Sequence, residues 1–129
     1  MIGLDTCAII DLLRGDEALI RLVDNLNDEL CLSQISYFEL SFGINPKIKF
    51  HLEEEKYYDI LFNTLNVVGI DNMLFKISSR LFWKMKFLGK EIGKIDSIIA
   101  GSFISAGVDK IITKDKHFEK IKGLKILNY

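Results

Sequence analysis

The sequence predicts an α/β fold, a three-layer sandwich in which a parallel sheet of about five strands carries helices on both faces. Short β-type runs alternate along the chain with segments whose apolar residues recur at helical spacing. Strands separated by helices pair in parallel through right-handed crossovers, and the helices are left to cover the two faces of the sheet. Composition agrees: 129 residues, 49% hydrophobic and 27% charged, can bury a core without disulfides or a structural metal. No linker, internal repeat or low-complexity segment interrupts the pattern, so residues 1–129 read as one domain.

The first strand is M-I-G-L at 1–4. It leads into residues 6–14, where Ile9, Leu12 and Leu13 recur at helical spacing before Gly15 ends the run. Asp16 stands as the N-cap of the next helix, E-A-L-I-R-L-V-D-N-L. The second strand is L-C-L-S-Q at 30–34. A helix from Ser36 follows, carrying Phe38, Glu39, Leu40 and Phe42, and Asn45-Pro46 breaks it. A longer helix over 47–63 bears Glu53, Glu54 and Glu55 on a solvated face. The third strand, 66–70, is capped by Asp71, which opens a helix running to Leu88. Asp96 opens the apolar helix I-D-S-I-I-A-G-S-F-I-S-A-G. Strands four and five are residues 110–113 and 124–127.

Composition also excludes several classes. The longest charge-free stretch of the C-terminal half, 97–108, is well short of the ~18 apolar residues a membrane-spanning helix needs. Asp5 and Asp11 interrupt the apolar start and no basic segment precedes them, unlike a signal peptide. The expected location is the cytoplasm. Cys7 and Cys31 lie far apart in apolar contexts and read as buried, reduced thiols, without the paired spacing of a zinc site. His51 and His117 sit among charged neighbours and read as exposed rather than catalytic. The net charge of −1 conceals an asymmetry: residues 1–79 hold 6 basic and 13 acidic side chains, residues 80–129 hold 11 and 5. A basic face suits a polyanionic partner, and equally an ordinary solvated lysine surface.

In an open parallel sheet, ligands bind beyond the carboxyl ends of the strands. Asp5 directly follows strand one inside the apolar run I-G-L-D-T-C-A-I-I, where an unpaired charge is costly. Asp115 lies just past strand four, Glu39 on the helix after strand two, and Asp96 at the start of an apolar helix. Each has a structural alternative: Asp5, Asp115 or Asp96 as a helix N-cap, Glu39 as an exposed amphipathic position. Acids gathered at one end of a sheet repel, raising one another's pKa unless a cation neutralises them. An all-oxygen set suits Mg²⁺ or Mn²⁺ rather than zinc. Asp71 also follows a strand, and position in the sequence leaves it a competitor for the site.

Four motifs, L-D-T at 4–6, F-E-L at 38–40, I-D-S-I-I-A at 95–100 and T-K-D-K-H-F at 113–118, resemble in order and spacing those of the PIN-domain family. The likeness is greatest to the VapC-type toxin ribonucleases of toxin–antitoxin pairs, and it spans essentially the whole chain. It implies a five-stranded parallel sheet with Asp5, Glu39, Asp96 and Asp115 as both catalytic residues and ligands of one or two Mg²⁺ or Mn²⁺ ions. Thr6 and Thr113 match the family's supporting hydroxyls. Cys7 departs from the family's usual Asn or Ser, and Lys114 from its common Arg. The implied activity is metal-dependent endoribonucleolytic cleavage leaving 5′-phosphate and 3′-hydroxyl ends.

The partners expected are RNA, a protein antitoxin and a second copy of the chain. Lys76, Arg80 and Lys84 recur at i, i+4 and i+8 as one basic stripe on the helix opened by Asp71, and Leu74, Ile77, Leu81, Met85 and Leu88 make its core stripe. Phe75, Phe82, Trp83 and Phe87 do not all fit the core stripe, so that helix wants a second partner: another copy first, an antitoxin helix second, or a neighbouring helix of the same chain. Arg80, Lys84, Lys90, Lys94, Lys114 and Lys116 are candidate phosphate contacts. Two rival readings differ in class. A phosphoaspartate receiver domain would place two adjacent acids after strand one, where this chain has Asp5-Thr6. A PIN-like RNA-maturation nuclease or a non-catalytic RNA-binding scaffold is the other; the complete acid set and a first motif four residues from the start favour the free-standing toxin.

Overall fold

In the computed structural model, which describes residues 1–129, every strand pairs in parallel. The strands are β1 (Ile2–Leu4), β2 (Leu30–Ser33), β3 (Asn66–Val68), β4 (Lys110–Ile112) and β5 (Lys125–Leu127), in the order β3-β2-β1-β4-β5. Gly3 pairs with both Cys31 and Ile111, and Leu4 with both Leu32 and Ile112. The chain builds outward from β1 to β2 and β3, then returns to lay β4 and β5 on the other side. The topological switch therefore falls between β1 and β4, the crevice where open parallel sheets bind ligands.

The helices are α1 (Thr6–Leu13), α2 (Glu17–Asp24), α3 (Gln34–Phe42), α4 (Lys49–Thr64), α5 (Asn72–Phe87) and α6 (Lys94–Ser105), with a single 3₁₀ turn at Phe118–Lys120. Strand side chains alternate between two cores. Ile2, Leu4, Leu32 and Ile112 pack with Ala8, Ile9, Leu19, Leu40 and Tyr58. Cys31 and Ile111 point the other way, onto Met85, Ile99, Ala100 and Phe103. Helix α3 contributes to both layers, Ile35 to one and Leu40 to the other.

Several boundaries differ from the sequence reading, and local hydrogen bonds explain them. The Ser33 hydroxyl accepts from the Ile35 N–H, ending β2 and starting α3 two residues earlier than expected. The Asn45 side chain accepts from the Lys47 N–H, so Asn45-Pro46 opens a turn and α4 begins only at Lys49. Helix α6 begins at Lys94 after Gly93, which puts Asp96 inside the first turn rather than at its opening. Leu88, expected in the core, is 59% exposed, because the helix has ended at Phe87. Glu53 and Glu55 are solvated as expected, whereas Glu54 is half-buried.

The β3–β4 crossover carries two helices, and α5 and α6 pack closely. Contact is permitted by small residues: Ser78 is buried on α5, and a Cβ at Gly101 of α6 would run into the Ser78 hydroxyl. Gly3 plays the same part between β1 and α6, since a Cβ there would stand 2.8 Å from the Phe103 ring. Adding one methyl group at Gly101 has no free volume to enter, and overpacking of this kind costs roughly 1–3 kcal/mol. Gly101→Ala is thus expected to lower the midpoint of chemical denaturation; a midpoint equal to wild type would show that α5 and α6 separate more readily than the packing implies.

Candidate metal centre

The site begins with the residue that directly follows β1. Asp5 is the N-cap of α1: its Oδ1 accepts from the Ala8 N–H at 2.8 Å. The Thr113 hydroxyl donates to Oδ2, and the Cys7 thiol stands 3.1 Å from both carboxylate oxygens. Only 3% of Asp5 is exposed. These donors satisfy a carboxylate that would otherwise be buried at great cost. Thr113 in turn accepts from the Asp115 N–H at 2.9 Å, which ties the loop after β4 to the end of β1. Thr6 donates to Glu39 Oε1 at 2.6 Å, linking α1 to α3.

Asp5, Thr6, Cys7, Glu39, Asp96 and Asp115 line one cleft of about 240 Å³, floored by Ile10, Ile99 and Phe118. The cleft lies beyond the carboxyl ends of β1 and β4. Four elements deliver the four acids: the β1–α1 junction, α3, the first turn of α6 and the loop after β4. Asp96 near the start of α6 is also where the positive end of a helix favours an anion.

Both Asp5 and Asp96 hold their protons more tightly than an ordinary carboxyl. For Asp5 the main cause is burial, opposed by the hydrogen bonds from Thr113, Ala8 and Cys7, with Asp115 a smaller contribution. For Asp96 burial again leads, followed by the negative charge of Asp115, and His117 opposes them. Loss of solvent thus outweighs the mutual repulsion expected from sequence. Burial and the neighbouring Asp5 push the Cys7 thiol up to about 11, so it is a hydrogen-bond donor at neutral pH.

His117 was expected to be a bystander. It is exposed, yet its Nδ1 lies 2.9 Å from Asp115 Oδ1, and that oxygen also accepts from the His117 N–H at 2.8 Å. Asp96, Asp115 and His117 each offer a donor atom within 4.8 Å of the others. The i, i+2 spacing of an acid and a histidine after a strand was the available signal. This donor set, rich in carboxylate oxygen, fits a hard or borderline divalent cation such as Mg²⁺ or Mn²⁺. Cys7 also departs from expectation: Cys31 is buried and free, but Cys7 is half-buried at the wall of the cleft.

The competitor Asp71 does not line the cleft; it caps α5, accepting from the Leu74 N–H at 2.7 Å. The expected phosphate contacts are dispersed. Arg80, Lys84, Lys90 and Lys116 are exposed and outside ion pairs, and Lys94 lines a separate hollow with Phe75, Phe82 and Trp83. Lys114 is held by carboxylates, with Asp11 Oδ2 at 3.1 Å and Asp16 Oδ2 at 2.9 Å. On α5, Phe75, Trp83 and Phe87 stay 44%, 49% and 82% exposed, so no helix of this chain covers them.

The strand order β3-β2-β1-β4-β5 with six helices places the chain among α/β proteins with a five-stranded parallel sheet, and its cluster of Asp96, Asp115 and His117 could hold a metal ion. The chain belongs to the PIN-domain family, whose model matches residues 2–124; members of that family are typically nucleases. Among solved structures, it is similar to VapBC-1 from nontypeable Haemophilus influenzae, with 28% identity, a TM-score of 0.81, and 99% of this chain and 98% of that one covered. FitAcB from Neisseria gonorrhoeae matches at 28% identity and TM-score 0.80, over 99% and 97% of the two chains. VapBC from Salmonella typhimurium, solved bound to DNA, matches at 26% identity and TM-score 0.83, over 99% and 98%. These neighbours are toxins of VapBC and FitAB toxin–antitoxin complexes. No curated protein sequence matches the chain. No helix is long and apolar enough to cross a membrane.

An acid whose folded pKa is raised stabilises the fold most below the unfolded carboxylate range; that advantage is lost as pH rises through the raised folded value. Asp5→Asn keeps the cap oxygen for Ala8 and removes the buried charge. Relative to wild type without metal, Asp5→Asn is expected to gain in melting temperature as pH rises from the ordinary aspartate value of about 3.9 through the raised folded value. A difference between the two proteins that does not change with pH would contradict a raised Asp5 pKa.

Proposed function

We propose that this chain is a metal-dependent endoribonuclease and the toxin of a toxin–antitoxin pair, with Asp5, Glu39, Asp96 and Asp115 as its catalytic metal ligands. The observation that carries the reading is the convergence of these four carboxylates, one of them almost fully buried, on a single cleft at the sheet's switch point. Asp5, Glu39, Asp96 and Asp115 would hold a Mg²⁺ or Mn²⁺ ion, which would supply Lewis-acid activation for phosphodiester hydrolysis. The chain's own residues do the rest. Asp5 is oriented by Ala8, Thr113 and Cys7, Glu39 by Thr6, and Asp115 by the His117 N–H, so these three carboxylates enter the cleft in fixed directions. That pre-orientation is what a carboxylate site needs to hold one cation geometry.

The exposed aromatics of α5 support self-association as a homodimer, and the family likeness to toxins of two-protein complexes supports a protein antitoxin as the second partner. Among the candidate RNA contacts, Arg80 and Lys84 are unpaired and one turn apart, which suits successive phosphates of a single strand.

Asp5→Asn and Asp96→Asn are each expected to reduce Mg²⁺- or Mn²⁺-dependent RNA cleavage by about a hundred-fold or more, while Asp71→Asn leaves it within about two-fold. Equal losses from all three would contradict the assignment. Added Mg²⁺ is expected to raise the stability of wild type by RT ln(1 + [L]/Kd), about 2.7 kcal/mol at a hundred-fold excess over Kd, and to do so weakly in Asp96→Asn. A second measurement addresses the nucleic acid. Arg80→Ala and Lys84→Ala should each weaken RNA binding and flatten its log–log salt dependence by about one unit; an unchanged slope would assign the stripe to solvent or to the dimer contact.

A further inference from the structure

The loop that delivers Asp115 is anchored on two sides. On one, Thr113 donates to Asp5 and accepts from the Asp115 N–H. On the other, Lys114, at the bend that follows β4, reaches the corner between α1 and α2. Its Nζ lies 3.1 Å from Asp11 Oδ2 and 2.9 Å from Asp16 Oδ2. The Tyr129 ring sits 4.2 Å from the same nitrogen, and the Tyr129 hydroxyl donates to Asp11 Oδ2 at 2.9 Å. None of Asp11, Asp16, Lys114 and Tyr129 lines the acidic cleft.

We propose that Lys114 is a positioning residue that clamps the Thr113-Lys114-Asp115 loop to α1 and α2 and thereby sets where the Asp115 carboxylate stands in the cleft; the inference rests on the nuclease reading above. Asp5 caps the start of α1 and Asp11 lies six residues further along it, while Asp16 caps α2. Thr113 and Lys114 therefore pin the loop to two separated points of one rigid helix. The ammonium sits between two carboxylates and under an aromatic ring, so it is not available to neutralise a phosphate. Its side chain is 44% exposed, and those of Asp11 and Asp16 are 23% and 28% exposed, so the pairs add little to global stability. What they restrict is the direction of the loop. Removing the lysine also leaves Asp11 and Asp16 facing each other without a cation, which pushes the corner apart.

The test uses the intact chain, with RNA cleavage measured in Mn²⁺ and the Mn²⁺-induced change in melting temperature measured without RNA. In Lys114→Ala, kcat is expected to fall about ten-fold and the half-saturating Mn²⁺ concentration to rise by a similar factor. KM for RNA and its salt dependence should stay as in wild type. Lys114→Arg should restore most of both losses, because a guanidinium can bridge the two carboxylates. Asp11→Asn should move kcat and Mn²⁺ affinity in the same direction as Lys114→Ala, and it carries the test alone if Lys114→Ala has no melting transition. The inference is overturned if Lys114→Ala raises KM and flattens its salt dependence with kcat unchanged, or if Asp11→Asn tightens RNA binding by freeing the lysine. It is equally overturned if both variants match wild type. A wild type that neither cleaves RNA nor responds to Mn²⁺ would instead sink the nuclease reading itself, and the clamp with it.

Discussion

A carboxylate buried at the end of a strand must have its oxygens occupied, and in this protein that requirement organises everything around it. Asp5 obtains one donor from the backbone of α1, one from Thr113 beyond β4, and one from Cys7. The first fixes where α1 starts. The second fixes the loop after β4, because the same threonine oxygen accepts from Asp115. The third explains how a cysteine can stand where a stronger hydrogen-bonding side chain is common in the family. Removing the charge from water costs free energy that is only partly offset by these bonds. The site is consequently a place where stability is given up for a preformed arrangement of acids.

Supply of the remaining acids depends on packing at a distance from the cleft. Asp96 reaches it because α6 lies close against β1 and α5, and both approaches need small residues, Gly3 under Phe103 and Gly101 against Ser78. Glu39 reaches it because Ser33 ends β2 and starts α3 early, placing Glu39 beside Thr6. A small change in either packing would move a carboxylate that itself touches nothing in the core.

The surface divides along similar lines. Part of the basic excess of the C-terminal half is paired, Lys114 with Asp11 and Asp16, Lys110 with Asp28, and Lys86 with Glu91. The unpaired cations that remain on α5 stand beside exposed aromatic rings, where Lys86 also lies 5.1 Å from the Trp83 ring centre. Helix α5 thus presents a mixed aromatic and basic face, while its Leu74, Ser78 and Met85 are buried and Leu81 packs against the core.

Much of the fold was legible in the chain itself. The strands and helices were marked by periodicity, by Gly15 and Pro46, and by caps such as Asp16 and Asp71, since such signals act within a few residues. Position marked the four acids as candidates beside Asp71, and the likeness of their four motifs to the PIN-domain family picked them out as a set. What the chain could not express was how side chains distant in sequence share donors. Asp5 and Thr113 are 108 residues apart, and Lys114 and Asp11 are 103 apart. His117 is the surface residue the sequence suggested, but the loop also sets its ring on Asp115, and Lys114 is paired with Asp11 and Asp16 at the corner of α1 and α2. Asp71, a competitor by position alone and passed over by the family motifs, lies outside the cleft as the cap of α5. Local spacing determines which elements form; which ends meet, and whose charge is neutralised by whom, is decided only when the crossovers bring β1 and β4 side by side.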